Sequence, residues 1–174
     1  PVAMKGITEK VTHRASAGLL ALDLRNSEEV NSAQATLTAR ARDAGTPLDG
    51  VYLQAMVNGG IEMIVSAFRD PIFGVMLSIG AGGTLTELVD DIVLARAPVD
   101  AEAACGLIDR LRISRAVEKF APGARLSEFA DFVASFSRLA ASVPWRHFTI
   151  ELNPVKWRQT GSIAIDGLIL IDEL

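Results

Sequence analysis

Asn153, in the run Glu151-Leu152-Asn153-Pro154, and Asp166 open the chemical reading. A strand over Phe148–Leu152 would end at Asn153-Pro154, and Asp166 falls in the next strand pair, beyond a turn at Gly161. A hairpin would bring the two together. An amide oxygen and a carboxylate are hard ligands suited to Mg²⁺, which takes one or two carboxylates and fills its shell with phosphates and water. A turn amide and a solvated carboxylate would give the same spacing. Glu87 follows the run Gly80-Ala81-Gly82-Gly83 and is a third hard ligand or a surface carboxylate. Glycines without Cβ let backbone N–H groups approach phosphate. The run fits neither the P-loop nor the dinucleotide fingerprint, and an ordinary turn would also explain it.

Lys5 ends an otherwise apolar strand and either sets a point charge on a phosphate or snorkels at an edge. His13, in Thr12-His13-Arg14, is a general base, a phosphorylated nucleophile or an ordinary surface imidazole. His147 has only the surface reading. Cys105 lies among alanines and reads as packing, and Phe129, Phe132 and Phe136 at helical spacing read as core. No serine-nucleophile elbow is present.

These side chains need a scaffold of strands with a few helices. Val2–Met4, Gly18–Leu24, Gly50–Met56, Ile61–Arg69, Val75–Ile79 and Ile92–Ala95 read as strands, and Phe148–Leu152, Ser162–Asp166 and Leu168–Ile171 close the chain. Asn26 with Glu28 and Glu29 starts a helix that runs to about Ala44 and stops at Gly45-Thr46-Pro47. Asp100 caps a second helix to about Leu111, and Ser127 a third to about Ala141. Phe120–Arg125 between them reads as loop. The class is α+β.

The chain has 174 residues, 49% of them hydrophobic and 22% charged, with 17 basic and 21 acidic side chains. That length suits one domain with a real core. A net charge of −4 disfavours nucleic-acid and anionic-membrane partners as a class, though not a local pocket for phosphates. The single cysteine fits a reducing, cytoplasmic setting. One cysteine and two histidines make no classical zinc site. The longest uncharged stretch, Pro71 to Thr86, is glycine-broken and shorter than the about 20 residues of a spanning helix. Because the chain starts inside a strand, an upstream segment is expected to be missing.

Taken in order, the segments resemble the ATP-grasp domain of the ADP-forming (NDP-forming) acyl-CoA synthetases, which include ADP-forming acetate–CoA ligase; succinyl-CoA synthetase β-subunits are more distant. Pro1-Val2-Ala3-Met4-Lys5 is similar to the family's Pro-Val-x-x-Lys strand. Val11-Thr12-His13-Arg14 through Gly18 is similar to its His-Lys-Ser-Asp-x-Gly-Gly loop. Gln54-Ala55-Met56-Val57 with Gly59-Gly60-Ile61-Glu62 resembles its hinge and the strand after it. Arg69-Asp70-Pro71-Ile72-Phe73-Gly74 resembles its Arg-Asp-Pro-x-Phe-Gly turn. The glycine run with Glu87, then Ala97-Pro98, then Glu151-Leu152-Asn153-Pro154 and Asp166 follow in register. The chain departs from the pattern at Ser16, Leu19, Ala55 and Val75, and Lys119-Phe120-Ala121-Pro122 stands where the family has Gly-x-Arg-Gly.

The resemblance implies an ATP-grasp fold lacking its extreme N-terminal segment, with 1–56 a nucleotide-side portion and 57–174 a C-terminal grasp portion. It implies ATP/ADP and Mg²⁺ as cofactors: Lys5 on the phosphates, Gln54, Met56 and Val57 along the adenine pocket, and Glu62, Gly82 and Gly83 in the nucleotide cleft. Asn153 and Asp166 would take the metal, with Glu87 near the phosphates. His13 falls where some members carry a second phosphohistidine. The implied reaction is carboxylate + CoA + ATP ⇌ acyl-CoA + ADP + phosphate, and this chain would be only one domain of that ligase. Its implied partners are a CoA-binding, phosphohistidine-bearing domain or subunit, fused or separate, and a homo-oligomeric state is open. Two rival readings are a regulatory ligase-like domain of a protein acetyltransferase without ligase activity, and another ATP-grasp carboxylate ligase. A folded interaction domain with no nucleotide site is the third.

Overall fold

The structure is a computed structural model that describes residues 1–8, 17–83 and 90–171. The chain divides into two compact units, Pro1–Asn58 and Gly59–Leu174.

The first unit is a three-stranded antiparallel sheet with one helix. β1 (Val2–Ile7) lies between β2 (Leu20–Leu24) and β3 (Gly50–Ala55). Ala3, Met4, Leu19, Leu37 and Ala41 are its buried apolar residues among those described. α1 (Ser27–Asp43) begins where the sequence signals it. The Asn26 side chain accepts from the Glu29 N–H at 2.9 Å, and the Glu29 carboxylate accepts from the Arg25 N–H at 2.8 Å. This is a reciprocal cap. At the other end Gly45, at φ 69°, donates to the Arg42 carbonyl and Thr46 donates to the Ala41 carbonyl. That pairing closes the helix with a glycine in the left-handed region, where a Cβ would be strained.

The second unit holds the main core. Its sheet runs β6 (Ile92–Arg96), β5 (Gly74–Ala81), β4 (Ile61–Asp70), β7 (Phe148–Arg158), β8 (Gly161–Ala164), and β9 (Gly167–Ile171) pairs with the first half of β7. All neighbours are antiparallel. Ile61, Met63, Val65 and Ala67 alternate on β4 and point to one face. Against that face pack α2 (Ala101–Asp109) and α4 (Leu126–Ser142), with α3 (Val117–Phe120) and a 3₁₀ turn (Ile113–Ala116) between them. Phe129, Val133, Phe136 and Ala140 form the buried stripe of α4, and Phe129 stacks on Trp157 with ring centroids 4.8 Å apart. No described helix is long and apolar enough to cross a membrane.

Three expectations need correction. β7 does not end at Asn153-Pro154 but continues to Arg158. Proline is tolerated because the β4–β7 register shifts there, so its missing N–H falls at a bulge instead of in the ladder. Asp166 is not in a strand; it sits in the link between β8 and β9. Ser127 does not cap α4, whose N-cap is Arg125. The Arg125 carbonyl accepts from the Trp157 indole N–H at 3.2 Å, so a distant contact fixes where the helix starts. The 3₁₀ turn and α3 fill the stretch before the expected Phe120–Arg125 loop, which forms as expected except that Phe120 ends α3. The buried Asp91 carboxylate accepts from the N–H groups of Arg112 and Ile113 at 2.8 and 2.7 Å, a partner 21 residues away that no local pattern announces.

Candidate nucleotide and metal site

The described helices cover one face of the second unit's sheet, and Glu62 and Asn153 lie on the other. On β4 the even positions Glu62 and Ser66 point away from the core. Register places Lys156 opposite Glu62 and Glu151 opposite Ser66. Residues 151 and 156 differ by an odd number, so an unbroken strand would send them to opposite faces. The extra residue at the bulge, between the partners of Met63 and Val65, restores them to one face. It leaves Val155 and Trp157 buried on the core side. Bulges are a common means of re-aiming side chains at sites.

At the end of β5 the chain folds across β4. Gly82 N–H donates to the Glu62 carbonyl at 2.8 Å, and Gly83 N–H donates to the Asn153 side-chain oxygen at 3.0 Å. A Cβ on Gly82 would overlap the Met63 carbonyl group, and one on Gly83, at φ +64°, would overlap the Glu62 carboxylate. The crossing therefore requires glycine at both positions. Asn153 is oriented from its other end as well: its amide N–H contacts Glu151 at 3.4 Å. The Glu62 carboxylate also pairs with the Lys156 ammonium at 2.8 Å.

Asn153 and Asp166 are brought together. Asn153 N–H donates to the Asp166 carbonyl at 3.2 Å, and Ile165 N–H donates to the Pro154 carbonyl at 2.9 Å. One carboxylate oxygen of Asp166 accepts from Gly167 N–H at 3.0 Å. The donor set is all hard oxygen: an amide and a carboxylate, with Glu62 and Glu151 on the same face as Asn153. It fits Mg²⁺ with phosphates and water completing the shell. Among the described residues no three His, Cys, Asp or Glu side chains converge.

The remaining residues divide cleanly. Lys5, Gln54, Met56 and Val57 belong to the first unit. Lys5 pairs with Tyr52 and Ala3 with Gln54, so Lys5 and Gln54 share a face of that sheet. Lys5 is 9% exposed. Met56 and Val57 follow β3, and Met56 N–H donates to the Pro1 carbonyl at 3.1 Å. His13 and Glu87, with Ser16, lie outside the described residues. Sequence reasoning misses Lys156 because Pro154 reads as a strand end. The alternation of Val155 and Trp157 with Lys156 and Arg158 is the signal that the strand continues.

The model of the ATP-grasp domain matches residues 1–171. The β subunit of ADP-forming acetate–CoA ligase I of Pyrococcus furiosus is 28% identical over 98% of this chain and 75% of its own length. Trans-feruloyl-CoA synthase FCS1, from an unknown prokaryotic organism, is 31% identical over 99% of this chain, which spans 25% of that protein. Acetate–CoA ligase I of Archaeoglobus fulgidus is 29% identical, and the chain spans 26% of it. Among solved structures, the dinucleotide-forming acetyl-coenzyme A synthetase 1 of Ca. Korarchaeum cryptofilum, in complex with coenzyme A, Ca-AMPCP and HgCl⁺, superposes with a TM-score of 0.90. It is 24% identical over 99% of this chain and 76% of that one. The same synthetase in complex with coenzyme A and Mg-AMPPCP, its phosphohistidine segment pointing towards the nucleotide site, gives 0.81 at 23% identity, with 99% and 76% covered.

Proposed function

The chain belongs to the ATP-grasp family and is homologous to ADP-forming acyl-CoA synthetases, and from that premise we propose that it is the nucleotide-handling module of such a ligase. The whole reaction would be carboxylate + CoA + ATP ⇌ acyl-CoA + ADP + phosphate. The observation that carries the reading is the glycine crossing at Gly82–Gly83, pinned by Asn153 and Glu62 on the helix-free face. It joins a glycine backbone and hard oxygen ligands within one sheet, parts that phosphoryl transfer uses. The related synthetase was solved with Mg-AMPPCP in one complex and Ca-AMPCP in another.

In this reading the first unit, Pro1–Asn58, supplies Lys5 to the phosphates and Gln54, Met56 and Val57 to the adenine. The second supplies Glu62, Gly82 and Gly83 to the nucleotide and Asn153 and Asp166 to Mg²⁺. When bound, Mg²⁺ would offset charge on the phosphates. His13 Nε2 or Nδ1 accepts the γ-phosphoryl group as its bond to the β-phosphate oxygen breaks, leaving ADP, and Glu87 is the further residue assigned to the phosphates. Transfer from a phosphohistidine to a carboxylate then gives an acyl phosphate. Attack by the CoA thiolate on that carbonyl expels phosphate and completes the balance. The CoA and carboxylate sites belong to a partner domain or subunit.

Equilibrium dialysis with labelled ADP and Mg²⁺ tests the proposal. Saturable binding is expected, weakened at least tenfold in Lys5→Met, with no CoA ester formed by this chain alone. ADP binding that Lys5→Met leaves unchanged removes Lys5 from the site, and no binding at all contradicts the reading.

A further inference from the structure

Two cations on the helix-free face have no part in the nucleotide and metal roles assigned above. Lys156 stands directly across from Glu62, and Arg158 follows two residues later on the same strand. Two residues along a strand is about 6.5 to 7 Å, and side chains two apart point to the same face, so both cations can reach one extended anion. The Lys156 side chain is 18% exposed, and its ammonium holds three donors of which the Glu62 carboxylate takes one. The Arg158 side chain lies with its stem against Gly60. Its Nε is buried and lacks a hydrogen-bond partner. A buried guanidinium N–H without an acceptor is rare and calls for one.

We propose that Lys156 and Arg158 form a second anion-binding pair that grips the polyphosphate of the nucleotide on this face, with Glu62 holding Lys156 in place until the ligand arrives. The inference rests on the nucleotide-module reading for the identity of the ligand, and on geometry alone for its charge. Glu62 competes with the phosphate for the ammonium. Its carboxylate beside Gly83 also repels an anion unless Lys156 neutralises it. The pair thus selects a ligand with several negative charges over one with few, such as adenosine or a monophosphate.

The test titrates Mg-ADP, inorganic tripolyphosphate and adenosine by calorimetry into the wild-type chain, Lys156→Met, Lys156→Arg, Arg158→Gln, Glu62→Gln and the Glu62→Gln/Lys156→Met double variant. Circular dichroism melts confirm that each is folded. Loss of a charge-assisted contact predicts about tenfold weaker binding of Mg-ADP and tripolyphosphate in Lys156→Met and in Arg158→Gln. Lys156→Arg stays within about threefold of wild type, and Glu62→Gln is the reference against which the double variant is read. The double variant stays weak, because the missing contact is to the ligand and not to Glu62. Recovery in the double variant overturns the proposal: Lys156 would then only neutralise Glu62. Unchanged affinity in Lys156→Met and Arg158→Gln overturns it too. Tripolyphosphate binding without Mg-ADP binding, lost in both variants, supports the pair and removes the nucleotide reading. Mg-ADP binding that is indifferent to both variants removes the pair and leaves that reading standing. A wild-type chain that binds neither ligand removes both.

Discussion

Gly83 shows how one missing methyl group decides a local structure. Its left-handed φ and the Glu62 carboxylate over its α-carbon leave a side chain neither a relaxed backbone nor room. Gly83→Ala is therefore expected to cost about 1–2 kcal/mol, lower the melting temperature by several degrees and weaken Mg-ADP binding at least tenfold. A variant as stable and as tight as wild type would show that the crossing tolerates a Cβ. Cys105 makes the opposite case, a reactive type placed where it does nothing. Burial foremost, with the charges of Asp109, Asp131 and Glu102 behind it, pushes its thiol above its ordinary value. The thiolate is the nucleophile, so at pH 8 iodoacetamide should label it more slowly than free cysteine, the rate rising only as pH climbs past the raised value. Labelling at the free-thiol rate would contradict this. Residue types and spacing are enough to nominate Asn153, Asp166 and the glycines, and Glu62 enters only through the family resemblance. They do not nominate Lys156, because the one residue that hides it, Pro154, reads as a stop in every local rule.

Elements are legible where the local chemistry is complete and illegible where a distant contact decides. α1 carries both its caps within its own sequence, and its ends fall within a residue of expectation. α4 begins at Leu126, not at Ser127, because the Trp157 indole holds the Arg125 carbonyl from across the sheet. The turn after α2 forms on Asp91, which follows a segment far away in sequence. Removing that carboxylate strands two backbone donors, so Asp91→Ala should destabilise the chain by about 2–4 kcal/mol in urea, with little change in m. Phe129→Ala empties the space between α4 and Trp157 and should cost about 3–5 kcal/mol. If Asp91→Ala proved neutral, the turn would be held by something else. β7 is the informative failure: strand alternation resumes after Pro154, but one residue out of phase, and the phase change is what brings Asn153, Glu151 and Lys156 onto Glu62's face.

At the scale of the whole chain, the buried members of the large core run from Ile61 to Trp157, all within the second unit. A fragment Gly59–Leu174 should therefore fold and melt cooperatively by itself, while Pro1–Asn58, with few buried side chains, should be marginal. A fragment 59–174 without a cooperative melt would show that its core needs the rest. Motifs in their order along the chain suffice to point to the ATP-grasp family. A lone glycine run or a lone lysine points nowhere, because each is common for ordinary structural reasons. No motif read in the sequence identifies the acyl substrate, and the chain spans about a quarter of the length of two of the curated relatives it matches. The central claim is a Mg²⁺-dependent nucleotide site built on Asn153 and Asp166. It is tested most directly by calorimetric titration of ADP, with and without Mg²⁺, into wild type and the Asn153→Ala/Asp166→Ala double variant. The expected result is saturable binding in wild type that Mg²⁺ tightens at least tenfold, with that tightening absent in the double variant. Equal Mg²⁺ dependence in both proteins would contradict the account.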